Sequence, residues 1–305
     1  MPDYSIIVPV FNSSQSLVEL HQRVAATMKK LHKTYHLIMV DDGSSDESWE
    51  VLQQLKSANP QEVTAIRLAK NYGQHNATLC GIAKADGEFI ITIDDDLQQP
   101  PEEMGKLILQ MQQSDADLVY GIYSKKQHSI ARNMSSAFIK GSGKHIFSKK
   151  GEGSSFRLMK AHLAKSMLNH RQNFIYLDEL FYWYTNHIEF VTINHVPRPY
   201  QKSNYTPRSL YFMLSNVVIY YTALPLQLMV YGGMISSIIS FLIGMVFIYR
   251  KIARDVPLGF TALIVAILFS TSIILLSLGV ISEYLSRIYM VQNHKPPYAI
   301  KDLLD

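Results

Sequence analysis

Two long runs without a single charge limit what this 305-residue chain can become more than any other feature. Ser209 to Tyr249 contains no Asp, Glu, Lys or Arg, and neither does Val256 to Ser282. Each holds an apolar stretch of at least the roughly 20 residues that a helix needs to cross a bilayer. The spans are placed at about Leu226 to Tyr249 and Leu258 to Ser282. A buried helical hairpin of a soluble fold is the competing explanation, but core helices of that kind are usually shorter and interrupted by charge. The segment ahead of the spans has an ordinary charge content, so the chain divides into a globular part and a membrane part.

The N-terminus, MPDYSIIVPVF, has neither the basic start nor the small-residue cleavage site of a signal peptide, so the globular part is expected in the cytoplasm. A single cysteine, Cys80, excludes an intrachain disulfide and suits a reducing compartment. The net charge of +4 is modest and calls for no nucleic-acid partner. Its distribution is uneven, with Lys125, Lys126, Arg132, Lys140, Lys144, Lys149 and Lys150 between Ile122 and Gly151 and no acid among them. Such a run is a solvated face or, beside a membrane, an attractor of anionic lipid or phosphate.

Along the globular part, short β-branched runs alternate with helical stretches. Strands are expected at Tyr4 to Phe11, His36 to Asp41, Val63 to Ala69, Phe89 to Ile93 and Leu118 to Tyr123. Helices fall between them and after Pro101, with Ser13 or Ser14 as a cap for the first. This alternation implies right-handed crossovers and a mostly parallel sheet. Past the basic run, a short strand over Ser154 to Met159 carries Arg157, two helical stretches cover Ala161 to His170 and Tyr176 to Asn186, and a strand runs from Ile188 to Val196. Pro197, Pro199 and Pro207 mark a linker with Arg198, Lys202 and Arg208. Leu210 to Thr222, apolar and aromatic, suits a helix lying in the membrane interface. The expected divisions are residues 1–205, a catalytic domain; 206–225, an interfacial segment; 226–290, a two-helix membrane region; and 291–305, a tail. Arg250, Lys251 and Arg254 would draw the loop between the spans to the cytoplasm, while Arg198, Lys202 and Arg208 before them and Arg287, Lys295 and Lys301 after them ask the same for the flanks. The flanks are preferred.

Two strands of this series end in acids, Asp41-Asp42 and Asp94-Asp95-Asp96, and Asp178-Glu179 follows further on. In an open α/β sheet the ligand crevice lies beyond the strands' C-terminal ends. Carboxylates one residue apart can converge there on a hard divalent cation that holds a diphosphate. The alternative for Asp94 to Asp96 alone is a solvated turn.

With the early IIVPVFN (Ile6 to Asn12), the stretches VDDGSSD (Val40 to Asp46), NYGQHNATLCGIAKADGEFIITIDDDLQQPPE (Asn71 to Glu102) and GSSFRLM (Gly153 to Met159) resemble the family 2 inverting glycosyltransferases. The two spans narrow the resemblance to the branch of dolichyl-phosphate mannose synthase and bacterial polyprenyl-phosphate glycosyltransferases. It implies a glycosyltransferase A fold, Rossmann-like, followed by an interfacial helix and two transmembrane helices. It also implies Mg²⁺ or Mn²⁺, a nucleoside diphosphate sugar with UDP the favoured nucleotide, a polyprenyl (undecaprenyl) phosphate acceptor, and a multi-pass place in the bacterial inner membrane. A homotetramer is consistent with that branch.

The resemblance assigns roles. Pro9, Phe11 and Asn12 would line the nucleobase pocket with Asp41, Asp42 would reach the ribose side, and Asn71 would belong to the donor site. Asp94 and Asp96 would meet the metal with Gln98 nearby, while Asp95 would point away or touch ribose or sugar. Arg157, Arg198 and Lys202 would hold phosphates; Asp96, Asp178 and Arg157 form the catalytic set. Tyr182 and Trp183 are core aromatics or an acceptor wall, with core preferred. Ser155 stands where some relatives carry an aspartate base, and Asp178 is the nearest substitute. A polyprenyl phosphate is already anionic, however, and needs little proton removal, whereas a sugar hydroxyl would need a base. Ser13 and Ser14, Gln74, and Asn204 also depart from the usual pattern. Transfer to a hydroxyl of a lipid-linked saccharide and a non-catalytic membrane scaffold are the competing functions.

Overall fold

The computed structural model describes residues 1–123, 153–169, 176–194, 196, 224–254, 259–292 and 296–305. Two compact units result, one of residues 1–206 with 296–305 and one of residues 207–295.

The first unit is a single eight-stranded sheet. Its strands are β1 (Tyr4–Val10), β2 (Tyr35–Asp41), β3 (Val63–Leu68), β4 (Phe89–Thr92), β5 (Leu118–Tyr123), β6 (Arg157–Lys160), β7 (Ile188–Ile193) and β8 (Ile300–Leu304), in the order β7-β5-β6-β4-β1-β2-β3-β8. β1 is buried along its whole length, as its run of aliphatic residues requires of a strand covered on both faces. The pairs β1·β2, β1·β4, β2·β3 and β5·β7 are parallel. β6 runs antiparallel between β4 and β5, and β8 antiparallel along β3, so the sheet is mixed but mostly parallel.

Helices α1 (Leu17–Lys30), α2 (Ser48–Ala58), α3 (Gln74–Lys84) and α4 (Met104–Gln113) connect the first five strands, and α5 (Ala161–Ser166) and α6 (Leu177–Tyr184) follow β6. On α1 the buried positions Leu17, Leu20, His21, Val24 and Met28 recur at three- and four-residue spacing, which turns one stripe toward the core. Ser16, rather than Ser13 or Ser14, occupies the position before α1, and no side chain caps it. On α6 the stripe is Leu177, Leu180 and Phe181, all fully buried. Trp183 points off it and is 51% exposed, which corrects its expected place in the core; Tyr182 is half-buried.

The stretch set apart as residues 291–305 returns to the sheet. The Ala69 amide donates to the Ala299 carbonyl at 2.8 Å and the Thr64 hydroxyl to an Asp305 carboxylate oxygen at 3.1 Å, which fastens β8 along β3.

The second unit contains two long helices, α7 (Leu224–Arg254) and α8 (Phe260–Gln292). Both contain stretches long and apolar enough to cross a membrane, Leu228–Val246 and Phe269–Ser286. Their large apolar side chains, among them Phe241 and Leu276, face outward. A helix that is apolar on all sides and not covered by protein is suited to lipid. The proposed interfacial segment, apart from its last residues, lies outside the described residues, as do the basic run after Tyr123 and the linker cations Arg198 and Lys202.

Candidate active site

The order β3-β2-β1-β4 reverses direction at β1, and the crevice of such a sheet opens beyond the C-terminal ends of the strands at that point. Val10 pairs with Asp41 across β1 and β2, and Ile7 pairs with Thr92 across β1 and β4. The loops after these three strands therefore leave one rim side by side. They carry Phe11 and Asn12, Asp41 and Asp42, and Asp94 to Asp96.

The first two loops are tied together by side chains. Asn12 adopts φ 53°, a left-handed conformation that Asn tolerates better than most residues. Its amide donates to Ser44 Oγ at 2.9 Å, and its Oδ1 accepts from the Ser45 amide at 2.8 Å. The Ser13 amide donates to Ser48 Oγ at 2.9 Å and the Ser14 amide to Asp46 Oδ2 at 3.1 Å. Ser13 and Ser14 thus use their backbones to hold the β2 loop. Pro9 is buried in β1, while Phe11 is 43% exposed at the rim and Asn71 is exposed in the loop after β3.

Asp41 is fully buried, and its two oxygens differ. Oδ1 accepts from the Ser44 amide at 3.0 Å. Oδ2 accepts no hydrogen bond, with the Arg67 Nε 3.4 Å away as an ion partner. A buried acceptor without a hydrogen bond is rare, and here the charge of Arg67 compensates it. Asp42 is engaged differently: its two oxygens accept from the amides of Tyr72 and Gly73 at 2.7 and 2.8 Å, clamping the loop after β3. Burial pushes the Asp42 carboxyl up to about 6 against those two amides, with Asp41 adding a smaller upward push.

The three aspartates after β4 separate in the same manner. Asp95 turns toward the β1 loop, where Oδ2 accepts from the Phe11 amide at 3.0 Å and its carbonyl accepts from Ser16 Oγ at 2.6 Å. Burial pushes its carboxyl up to about 7, opposed by Ser13 and Phe11 and reinforced by Asp94 and Asp96. Asp94 accepts from Gln74 Nε2 at 2.5 Å on Oδ1, and from Ser155 Oγ at 2.5 Å and Gln99 Nε2 at 3.3 Å on Oδ2. Asp96 accepts from the Gln98 amide at 3.0 Å, in a turn where Leu97 takes φ 59°. Gln74 and Ser155, two departures from the family's usual residues, thus converge on one carboxylate.

No cluster of three or more His, Cys, Asp or Glu side chains able to hold a metal occurs among the described residues. Asp94 and Asp96 supply hard oxygen donors from one turn, and a donor set of two carboxylates fits Mg²⁺ or Mn²⁺, which complete their shell with phosphate oxygens and water. They do not form a closed structural metal cage.

Arg157 and Asp178 lie below this rim. Arg157 is buried, with Nη1 2.6 Å from Asp178 Oδ1, Nε donating to Thr92 Oγ1 at 3.0 Å, and its guanidinium 5.1 Å from the centre of the Phe181 ring. Tyr120 also donates to Asp178 Oδ1, at 2.9 Å. His75, at the start of α3, packs edge-on to Tyr176. Burial brings its imidazole down to about 4, with Asp178 pulling up and Arg157 pushing further down. Sequence reasoning did not single out Gln99, Thr92, Tyr120, His75 or Arg67. A hydroxyl inside the apolar FIIT strand and a guanidinium inside VTAIRL each demanded a buried partner, and that was the available signal.

The glycosyl transferase family 2 profile matches residues 5–182. The chain belongs to that family and is a glycosyltransferase. It is 30% identical over 305 residues to an undecaprenyl-phosphate 4-deoxy-4-formamido-L-arabinose transferase of Pseudomonas savastanoi pv. phaseolicola, covering 98% of this chain and 90% of that protein. A Klebsiella pneumoniae protein of the same name is 28% identical, covering 97% and 92%. Among solved structures, glucosyl-3-phosphoglycerate synthase from Mycobacterium tuberculosis with Mn²⁺, UDP-glucose and phosphoglyceric acid aligns with a TM-score of 0.49 at 15% identity, over 72% of this chain and 78% of that one.

Proposed function

We propose that this glycosyltransferase moves a sugar from a UDP donor to undecaprenyl phosphate, with inversion and with a divalent cation, at the cytoplasmic membrane face. The observation that carries the reading is one rim of the sheet. There Asp41, buried and paired with Arg67 at the end of β2, stands beside the turn that presents Asp94 and Asp96. The relatives that match over nearly their whole length are named for undecaprenyl phosphate, and the two apolar helices supply a means of reaching a lipid.

In this reading Phe11 and Asp41 receive the nucleobase, and Asp42 acts indirectly by fixing the loop after β3. Asp94 and Asp96 would hold Mg²⁺ or Mn²⁺, which when bound neutralises charge on the departing diphosphate. An oxygen of the lipid phosphate attacks the anomeric carbon from the face opposite the diphosphate. The new C–O bond forms as the old one breaks, and the nucleoside diphosphate leaves with the electron pair. A phosphate nucleophile is already ionised at neutral pH, so no side chain need remove a proton.

The test supplies purified full-length protein with Mn²⁺, undecaprenyl phosphate and a panel of UDP-linked pentoses and hexoses. A lipid product whose sugar is released by mild acid is expected. A stable glycosidic product would mean a hydroxyl acceptor instead. No product from any nucleotide donor, with nucleotide binding also absent, would favour the scaffold.

A further inference from the structure

Asp178, the nearest carboxylate to stand in for a base, is already engaged. Its Oδ1 accepts from both Tyr120 and Arg157, at 2.9 and 2.6 Å. Its other face lies against Gly153, where a Cβ would fall 2.5 Å from Asp178 Cγ and 2.7 Å from Oδ2. Asp178 is the counter-charge of the buried Arg157 guanidinium, and removing it would leave that guanidinium unpaired. The contacts then continue in one direction. Arg157 Nε donates to Thr92 Oγ1 at 3.0 Å, Thr92 Oγ1 donates to the Ser155 carbonyl at 2.5 Å, and Ser155 Oγ donates to Asp94 Oδ2 at 2.5 Å. Gln99 Nε2 closes the end by donating to Ser155 Oγ at 2.7 Å. Each hydroxyl in the series gives one hydrogen bond and accepts one, so the donor pattern is self-consistent.

We infer that Asp178 and Arg157 are positioning residues: through Thr92 and Ser155 they fix the rotamer of Asp94, and Asp178 is not the base of the reaction. The inference rests on the proposed role of Asp94 toward a divalent cation. It extends that role inward to a buried anchor on α6 and β6. It also gives Ser155 a function of its own, as the donor that orients Asp94.

The test uses the full-length enzyme and three variants, Asp178→Asn, Thr92→Val and Ser155→Ala, each first checked for folding by circular dichroism. Mn²⁺ binding in the presence of UDP is followed by electron paramagnetic resonance, and transfer is followed from about pH 5.5 to 9. Partners that orient a metal ligand are commonly worth about 10- to 100-fold in affinity, and losses of that order are expected in all three variants. The shape of the pH–rate profile is expected to be retained. Thr92→Val combined with Ser155→Ala should weaken Mn²⁺ binding less than the product of the single effects, since both interrupt one series. Unchanged Mn²⁺ affinity in Thr92→Val and Ser155→Ala would overturn the relay even if Asp178→Asn fails to fold. Loss of the acid limb of the profile in Asp178→Asn, with Mn²⁺ affinity intact, would restore Asp178 as a base. Failure of the wild type to bind Mn²⁺ with UDP would overturn the inference together with the functional reading beneath it.

Discussion

Replacing Gly43 by alanine tests whether the loop geometry behind Asp41 and Asp42 is as constrained as it looks. Gly43 has φ 70°, and a Cβ there would lie 2.7 Å from the Lys70 carbonyl carbon and 2.8 Å from the Asn71 amide nitrogen. Both are backbone atoms, so no side chain can swing away. The left-handed conformation alone costs alanine about 1–2 kcal/mol. Relieving a core-like overlap by moving backbone adds about 1–3 kcal/mol. The sum is about 2–5 kcal/mol, against a typical domain stability of about 5–15 kcal/mol. At about 2–4 °C per kcal/mol for a unit of this size, Gly43→Ala should lower Tm by roughly 4–20 °C. The displaced backbone leads directly to the Tyr72 and Gly73 amides that Asp42 holds, so affinity for UDP should fall as well. Gly73 is the internal comparison: it has φ 89° but no atom within 4 Å of a built Cβ. With φ 89° and ψ 151° it lies in a region essentially limited to glycine, so Gly73→Ala should cost a conformational part alone, about 1–3 kcal/mol. Thermal unfolding and calorimetric UDP titration of the two variants read both effects. Equal Tm losses in the two, or a Gly43→Ala protein with unchanged Tm and affinity, would show that backbone contact does not constrain this loop.

Two further outcomes follow from the same structure. His75 has a folded-state value of about 4, below its usual 6.5, so the unfolded chain takes up the proton first as pH falls. Its contribution is complete above about pH 6.5 and is lost as pH falls through about 4, worth at most about 3 kcal/mol and less for a ring that is only half-buried. His75→Gln should flatten urea midpoints measured between pH 4 and 7; an unchanged slope would contradict the assignment. Removing residues 296–305 uncovers the outer edge of β3. Faster amide exchange along Val63–Leu68 and a greater tendency to aggregate are expected, and exchange identical to the full chain would show that β8 does not protect that edge.

The first five strands were legible because each is a short aliphatic run bounded by turn residues, and because strands that alternate with helices have few ways to pair. β8 was not legible. IKDLL carries two charges and no alternation strong enough to mark a strand, and it gains its place only from β3, far away in sequence. Trp183 was misplaced for a related reason: LDELFYWY is apolar around most of its circumference, so periodicity could not choose which side faces the sheet. At the site, the positions of the acids followed from strand ends, while their partners did not. Asp42, Asp95 and Asp178 look alike in sequence, yet one holds a loop after β3, one holds the β1 loop, and one neutralises a buried arginine. Those differences arise from residues such as Phe11, Tyr72 and Arg157, brought together by the sheet over separations that no local pattern encodes.

Asp94 and Asp96 are proposed to bind a nucleoside diphosphate through a divalent cation. This role is tested most directly by titrating UDP into the full-length protein in Mn²⁺ and in EDTA, for the wild type and for Asp96→Asn. Mn²⁺ is expected to tighten UDP binding at least about tenfold in the wild type, equivalent to about 1.4 kcal/mol, and the gain to disappear in Asp96→Asn. Equal UDP affinity in Mn²⁺ and EDTA, or a full Mn²⁺ gain retained by Asp96→Asn, would contradict it.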